Sequence, residues 1–259
     1  MRVKKSVSLF MVVVGVFLLF SGCSVKPKTE NIPPCDIPMQ TVTKTFLADD
    51  STQLTFKIPL TWKAESCQDY YIRAYEGDTL PSSPNENRFS ESFPYAVEIT
   101  NYNYLDGSQA SELSDKIKTV YKELINGKPE NFQKYLSESI GSTMLFLEFQ
   151  KQQDETNQDA PRSVIDIWSM LADEPVTDNA GSDTVQYLTE FSCTYVNGDF
   201  DTIAVVKYTF EYEGRVYKGI YCVLKNSPYM VWGCFDDSLE LSSGDIALQV
   251  ANSLVVENK

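Results

Sequence analysis

Six cysteines, no histidine and a scatter of carboxylates set the chemistry open to this 259-residue chain. Without an imidazole there is no Ser-His-Asp or Cys-His relay, and histidine-bound hydrolytic zinc is excluded. An enzyme made from these residues would have to work with Asp, Glu, Lys, Tyr or Cys alone. The cysteines are Cys23, Cys35, Cys67, Cys193, Cys222 and Cys234, and none forms a C-x-x-C pair. That spacing removes redox and zinc-ribbon motifs. A nucleophilic thiol needs a fixed cation or base beside it, and the sequence places none.

The acidic pairs are short and stand at expected strand ends. Asp199-Phe200-Asp201 and Asp236-Asp237 do not follow the D-x-[DN]-x-[DN]-G pattern of a calcium loop, nor does the Asn101–Gly107 stretch or Asp154–Asp159. They read as solvated turn residues, and the residues call for no metal or cofactor. A tyrosine stripe is more specific. Tyr208, Phe210 and Tyr212 face Tyr217 and Tyr221 across a turn at Glu213-Gly214 and share a sheet face with Ala204 and Val206. Core packing beneath a helix is one reading. The other is a platform of Tyr208, Tyr212, Tyr217 and Tyr221 for a peptide or glycan, since Tyr suits partly wet interfaces.

These residues must be carried by a sheet. Strands are predicted at 41–48, 52–58, 68–75, 95–101 and 143–150, and 163–172, which fits helix or strand, is read as a strand. Further strands at 184–196, 201–212, 215–225 and 229–235 are separated by short Gly, Asn and Pro turns, the mark of sequential antiparallel hairpins. Leu113, Ile117, Val120, Tyr121 and Leu124 make an apolar stripe on a helix over 108–126, stopped by Gly127 and Pro129. A shorter helix is predicted over 129–139, burying Phe132, Tyr135 and Leu136. Ser242 with Asp245 resembles a capping box, opening a final helix that buries Ile246, Val250 and Leu254. The fold class is α+β: an α/β sandwich with a central antiparallel sheet covered by a middle helix and a C-terminal helix.

Hairpin register bears on the thiols. The Glu213-Gly214 turn sets Cys222 opposite Val205, and a turn at Gly198 sets Cys193 opposite Ile203. Cys193 and Cys222 then share a face two strand spacings apart, roughly 9.6 Å, whereas a disulfide needs Cα atoms within about 7 Å. A turn centred on Ser227 sets Cys222 opposite Trp232 and Cys234 diagonal to it. This geometry gives free buried thiols, with Cys222–Cys234 and Cys35–Cys67 bridges as open alternatives.

The start of the chain carries the clearest signal. Arg2, Lys4 and Lys5 precede an apolar run from Val7 to Phe20, then Ser21-Gly22-Cys23. This is the layout of a secretory signal. A membrane span needs roughly 20 apolar residues, so a retained helix is the weaker reading, as is ordinary secretion. A Cys directly after Ser-Gly resembles a bacterial lipobox, which implies a lipidated Cys23 and a protein held on the extracytoplasmic face of the cell membrane. Phe20 stands where that pattern prefers Leu. Residues 1–22 are then the signal peptide, 23–40 the lipidated Cys and a Pro-rich tether, and 41–259 a single domain.

Losing residues 1–22 moves the net charge from −14 to about −17. So acidic a surface repels nucleic acid and anionic headgroups, leaving the lipid to hold the membrane. The stretch Phe56-Lys57-Ile58-Pro59-Leu60-Thr61-Trp62 resembles the F-x-I-P-x-x-W strand and turn of PsbP-like domains, and the closing strand and helix are similar to theirs. That resemblance implies a non-catalytic binding or assembly module; the partner expected at the cell envelope, from the tyrosine platform, is a protein or glycan. The alternatives are a carboxylate-based hydrolase and a solute-binding component of a transporter; the hairpins disfavour the second. Cys23→Ala should release the protein or leave the precursor unprocessed. Intact-mass spectrometry that finds cleavage elsewhere and no acyl mass would overturn the lipobox reading.

Overall fold

The computed structural model describes residues 29–32, 34–67, 71–78, 96–104, 111–141, 188–212, 214–236 and 243–258. In chain order these form β1 (Thr29–Asn31), β2 (Met39–Thr45), β3 (Thr52–Pro59), β4 (Trp62–Cys67), β5 (Tyr71–Glu76) and β6 (Ala96–Asn101). Helix α1 (Ser111–Ile125) comes next, then α2 over residues 130–141. The chain closes with β7 (Leu188–Asn197), β8 (Thr202–Tyr212), β9 (Arg215–Leu224), β10 (Tyr229–Asp236), α3 (Ser243–Asn252) and β11 (Val255–Asn258). The fold is mixed α+β. Eight strands make one sheet in the order β1-β7-β8-β9-β10-β6-β5-β4, and β11-β3-β2 make a smaller one. All pairs are antiparallel except β1 with β7.

Period-two alternation gives the large sheet two apolar faces. On one face Ile72, Ile99, Val205, Cys222 and Val231 pack with Leu54, Phe56 and Ile58 of the small sheet and with Ile246, Ala247 and Val250 of α3. On the other face Ala204, Val206, Tyr208, Val223 and Trp232 pack with Ile117, Tyr121 and Leu124 of α1 and Phe132, Leu136 and Ile140 of α2. Helix α1 ends where Gly127 takes a positive φ. There the Gly127 N–H donates to Leu124 O and Lys128 N–H to Glu123 O, the paired bonds of a Schellman motif. The Tyr195 hydroxyl donates to Leu124 O at 2.7 Å, bolting that end to β7.

Several elements differ from expectation. Strand β4 lies where a turn after Pro59 was expected, because Trp62, Ala64 and Ser66 alternate through small and polar residues. The segment expected as a tether is partly built into the fold: Thr29–Asn31 pairs in parallel with Tyr195–Asn197. Pro38 O accepts from Leu60 N–H, and the Gln40 amide donates to the carbonyls of Leu60 and Trp62. The final helix stops at Asn252, since Ser253 turns its hydroxyl back onto Gln249 O and Val250 O. Leu254 therefore sits in the link to β11, yet it is only 2% exposed. The strands expected at 143–150 and 163–172, with Ser242 and the side chains of Leu113 and Asp245, lie outside the described residues. Truncating Leu254 to Ala removes a buried side chain and should lower stability by about 2–5 kcal/mol. A denaturant midpoint equal to that of the parent would show that the link is peripheral.

Candidate functional site

The tyrosine stripe is in the register the sequence implied. Tyr208 pairs with Gly219, Phe210 with Tyr217, and Val206 with Tyr221. The rings form a stacked row: Tyr217–Phe210 at 5.2 Å, Phe210–Tyr208 at 6.2 Å, Tyr208–Tyr221 at 5.8 Å and Tyr221–Trp232 at 5.9 Å. Phe132 of α2 meets Tyr221 edge-on at 5.4 Å. Tyr208 and Tyr217 are 4% and 3% exposed and Tyr221 is half-buried. These rings are core; the Tyr212 side chain lies outside the described residues. Gly219 is required by the row, because a Cβ there would overlap the Tyr208 ring.

The row ends on charge. Trp232 Nε1–H donates to Glu98 Oε1 at 3.0 Å, and Arg73 Nη2 donates to Glu98 Oε2 at 2.7 Å. Arg73 and Glu98 are the charged side chains fully buried among the described residues. Register explains the meeting, since Glu98 stands opposite both Arg73 on β5 and Trp232 on β10. Two donors on its two oxygens favour a carboxylate that stays ionised, which suits a structural anchor better than a proton shuttle. Nearby on β5, the Tyr75 hydroxyl donates to Glu65 Oε1 at 2.6 Å.

The thiols are quiet. Cys35, Cys67, Cys193 and Cys222 are free. Cys222 stands opposite Val205 as expected, but Cys193 stands opposite Val206 rather than Ile203. The β7–β8 connection is wider than a tight turn at Gly198, so Cys193 and Cys222 point to opposite faces instead of sharing one. Cys222 pairs with Val231 rather than Trp232, which sets Cys234 opposite Gly219. Cys35 and Cys67 are both free, so the bridge between them that the sequence left open is not formed. Burial pushes the thiols of Cys67, Cys193 and Cys222 above the usual range, so they stay protonated and unreactive.

The end of the molecule around Asp199-Phe200-Asp201 is organised differently. Asp199 N–H donates to Asn252 Oδ1 at 2.7 Å, and Asn252 Nδ2 donates back to Asp199 Oδ2 at 3.3 Å. Asp201 accepts from the Thr202 and Asn226 N–H groups and from Asn226 Nδ2, each at 2.7 Å. Gly198 N–H donates to Asp201 O at 2.8 Å and closes the turn. These carboxylates are brackets tying β7–β8 to the β9–β10 turn and to α3. Between them Phe200 is 66% exposed. Phe200 thus stands in water on a turn whose two flanking Asp residues are both tied down. Sequence reasoning weighed the two Asp residues here as cation ligands and passed over the Phe between them; its signal was an aromatic in a turn.

Among the described residues no group of three or more His, Cys, Asp or Glu could hold a metal ion, and no helix is long and apolar enough to cross a membrane. No protein-family model matches the chain, and no curated protein matches it.

The tyrosines also give the fold a pH limit. A hydrogen bond to Glu65, then burial, raises Tyr75 to about 12, and burial raises Tyr121, Tyr135 and Tyr195 as well. Unfolded tyrosines ionise near 10. The folded state therefore keeps protons that the unfolded chain loses, so stability is full below about pH 10 and falls as pH rises toward 12. The urea midpoint should drop over that interval while phenolate absorbance rises with unfolding. A constant midpoint up to pH 12 would mean these hydroxyls ionise freely in the fold.

Proposed function

We propose that this chain is a membrane-anchored extracytoplasmic lipoprotein whose domain works as a non-catalytic binding or assembly module. Its architecture reads as an α/β sandwich of PsbP-like build, with a central sheet between a helical layer and a layer of small sheet and C-terminal helix. The observation that carries the binding reading is Phe200, exposed on a turn clamped from both sides by Asp199–Asn252 and Asp201–Asn226. Leu60, 62% exposed after β3, adds apolar surface elsewhere on the domain.

In this reading the Phe200 turn is the surface offered to a protein or glycan partner at the cell envelope. For the hydrolase alternative, the buried Glu98 is a poor candidate acid or base, since its two oxygens are taken by Arg73 and Trp232.

The test is a pull-down from solubilised envelope membranes with the parent and Phe200→Ser in parallel. The substitution is at an exposed turn, so stability should shift by no more than about 0.5 kcal/mol, while recovery of the partner should fall at least tenfold. Equal recovery by a variant of unchanged stability would place the binding surface elsewhere.

A further inference from the structure

The chain holds two Asn-Gly steps, Asn126-Gly127 and Asn197-Gly198. Asparagine is a labile side chain, and a glycine after it lacks the Cβ that would hinder attack on its amide. In that reaction the glycine backbone nitrogen attacks Cγ of the Asn, ammonia leaves and a cyclic imide closes. Water then opens the imide to Asp or, at its other carbonyl, to an isoaspartate whose backbone is one carbon longer. The balance is amide plus water giving acid plus ammonia, with no redox partner. At both steps the attacking nitrogen is already engaged. Gly127 N–H donates to Leu124 O at 3.0 Å, and Gly198 N–H donates to Asp201 O at 2.8 Å. The imide nitrogen carries no proton, so ring closure and these hydrogen bonds exclude each other. Neither glycine can be exchanged for a slower neighbour. Gly127 has a φ of 86°, and a Cβ on Gly198 would lie 2.8 Å from Asp201 O and 2.9 Å from Asn252 Oδ1.

We propose that Asn197 is a modification site, deamidated when the 198–201 turn opens, and that the brackets at Asp199 and Asp201 set its rate. The two steps differ in what guards them. Gly127 closes a helix end that the buried Tyr195 hydroxyl holds at Leu124 O. Asn197 is exposed at the base of a hairpin turn, and that turn is held by Asn226 and Asn252 from other elements. Opening such a turn costs less than unfolding the core. The product does not revert. An isoaspartate at 197 lengthens β7 where it pairs with Asn31 on one side and Thr202 on the other. It also adds a negative charge beside Asp199 and Asp201. A turn modified in this way cannot close as before, and Phe200 loses its fixed place. The gate depends on the hydrogen bonds of the turn and not on a partner at Phe200.

Peptide mapping by mass spectrometry tests it on the full chain, parent and Asp201→Ala, incubated at mildly alkaline pH. The readout at each Asn-Gly step is the mass gain of amide turned to acid. In denaturant the two steps should react at similar rates, and in the folded parent both should be slow. In Asp201→Ala the Asn197 step should run about tenfold faster, the factor that one ordinary hydrogen bond holds back, while Asn126 keeps its parental rate. A parent that loses the Asn197 amide as fast folded as in denaturant would refute the gate. So would a folded Asp201→Ala in which Asn197 is no faster than in the parent. A rise at both steps would mark global unfolding, and the milder Asn226→Ala, which keeps both carboxylates, then decides. Acceleration at Asn197 alone supports the gate in that variant, and parental rates at both steps refute it.

Discussion

Glu98 sits where the two halves of the large sheet meet. Strands β4–β6 come from the first part of the chain and β7–β10 from the last, and β6 against β10 joins them. Arg73 reaches Glu98 from the first half and Trp232 from the second, across 134 residues of sequence in the latter case. A buried ion pair gains little over well-packed apolar groups, but losing one member typically costs about 3–5 kcal/mol. Such a pair chooses a register more than it adds stability. Sliding β10 by one residue would turn its side chains to the opposite faces, taking the indole away from Glu98 and from the end of the aromatic row.

The small sheet repeats that logic. Strand β11 closes on β3, and Lys57 N–H donates to Ser253 Oγ at 2.9 Å, so the last residues of the chain hold down some of the first. Helix α3 fills the space between the sheets with Ile246, Ala247 and Val250. With both β6–β10 and β3–β11 crossing between the halves, the two ends of the chain share one core, which argues for cooperative unfolding.

Much of this was legible because short turns fix their neighbours. Asp49 organises its turn by accepting from Ser51 and Thr52, and the Glu213-Gly214 turn set the tyrosine register correctly. Where the turn was wider, counting failed: three residues of error at 198–201 moved Cys193 to the other face. Strand β4 escaped because its inward positions include Ala64 and Ser66, which carry little apolar signal. The final helix was overextended because Leu254 keeps the helical period while Ser253 ends the helix. The brackets around Phe200 were beyond local reading, since Asn226 and Asn252 lie 25 and 53 residues from the Asp residues they meet. A carboxylate in a turn looks solvated until the fold supplies its donors.

The Tyr208 ring lies over the place where residue 219 would otherwise carry a side chain. One residue's bulk thus stands in for two, and the history of the pair acquires a direction. A lineage that keeps the ring is confined to glycine at 219. One that first shortens position 208 is released, and can afterwards gain a side chain across the strand. The reverse order passes through an overfilled core. Homologues should therefore hold either an aromatic with glycine or a small residue with a side chain opposite, with the step between them always taken from the ring.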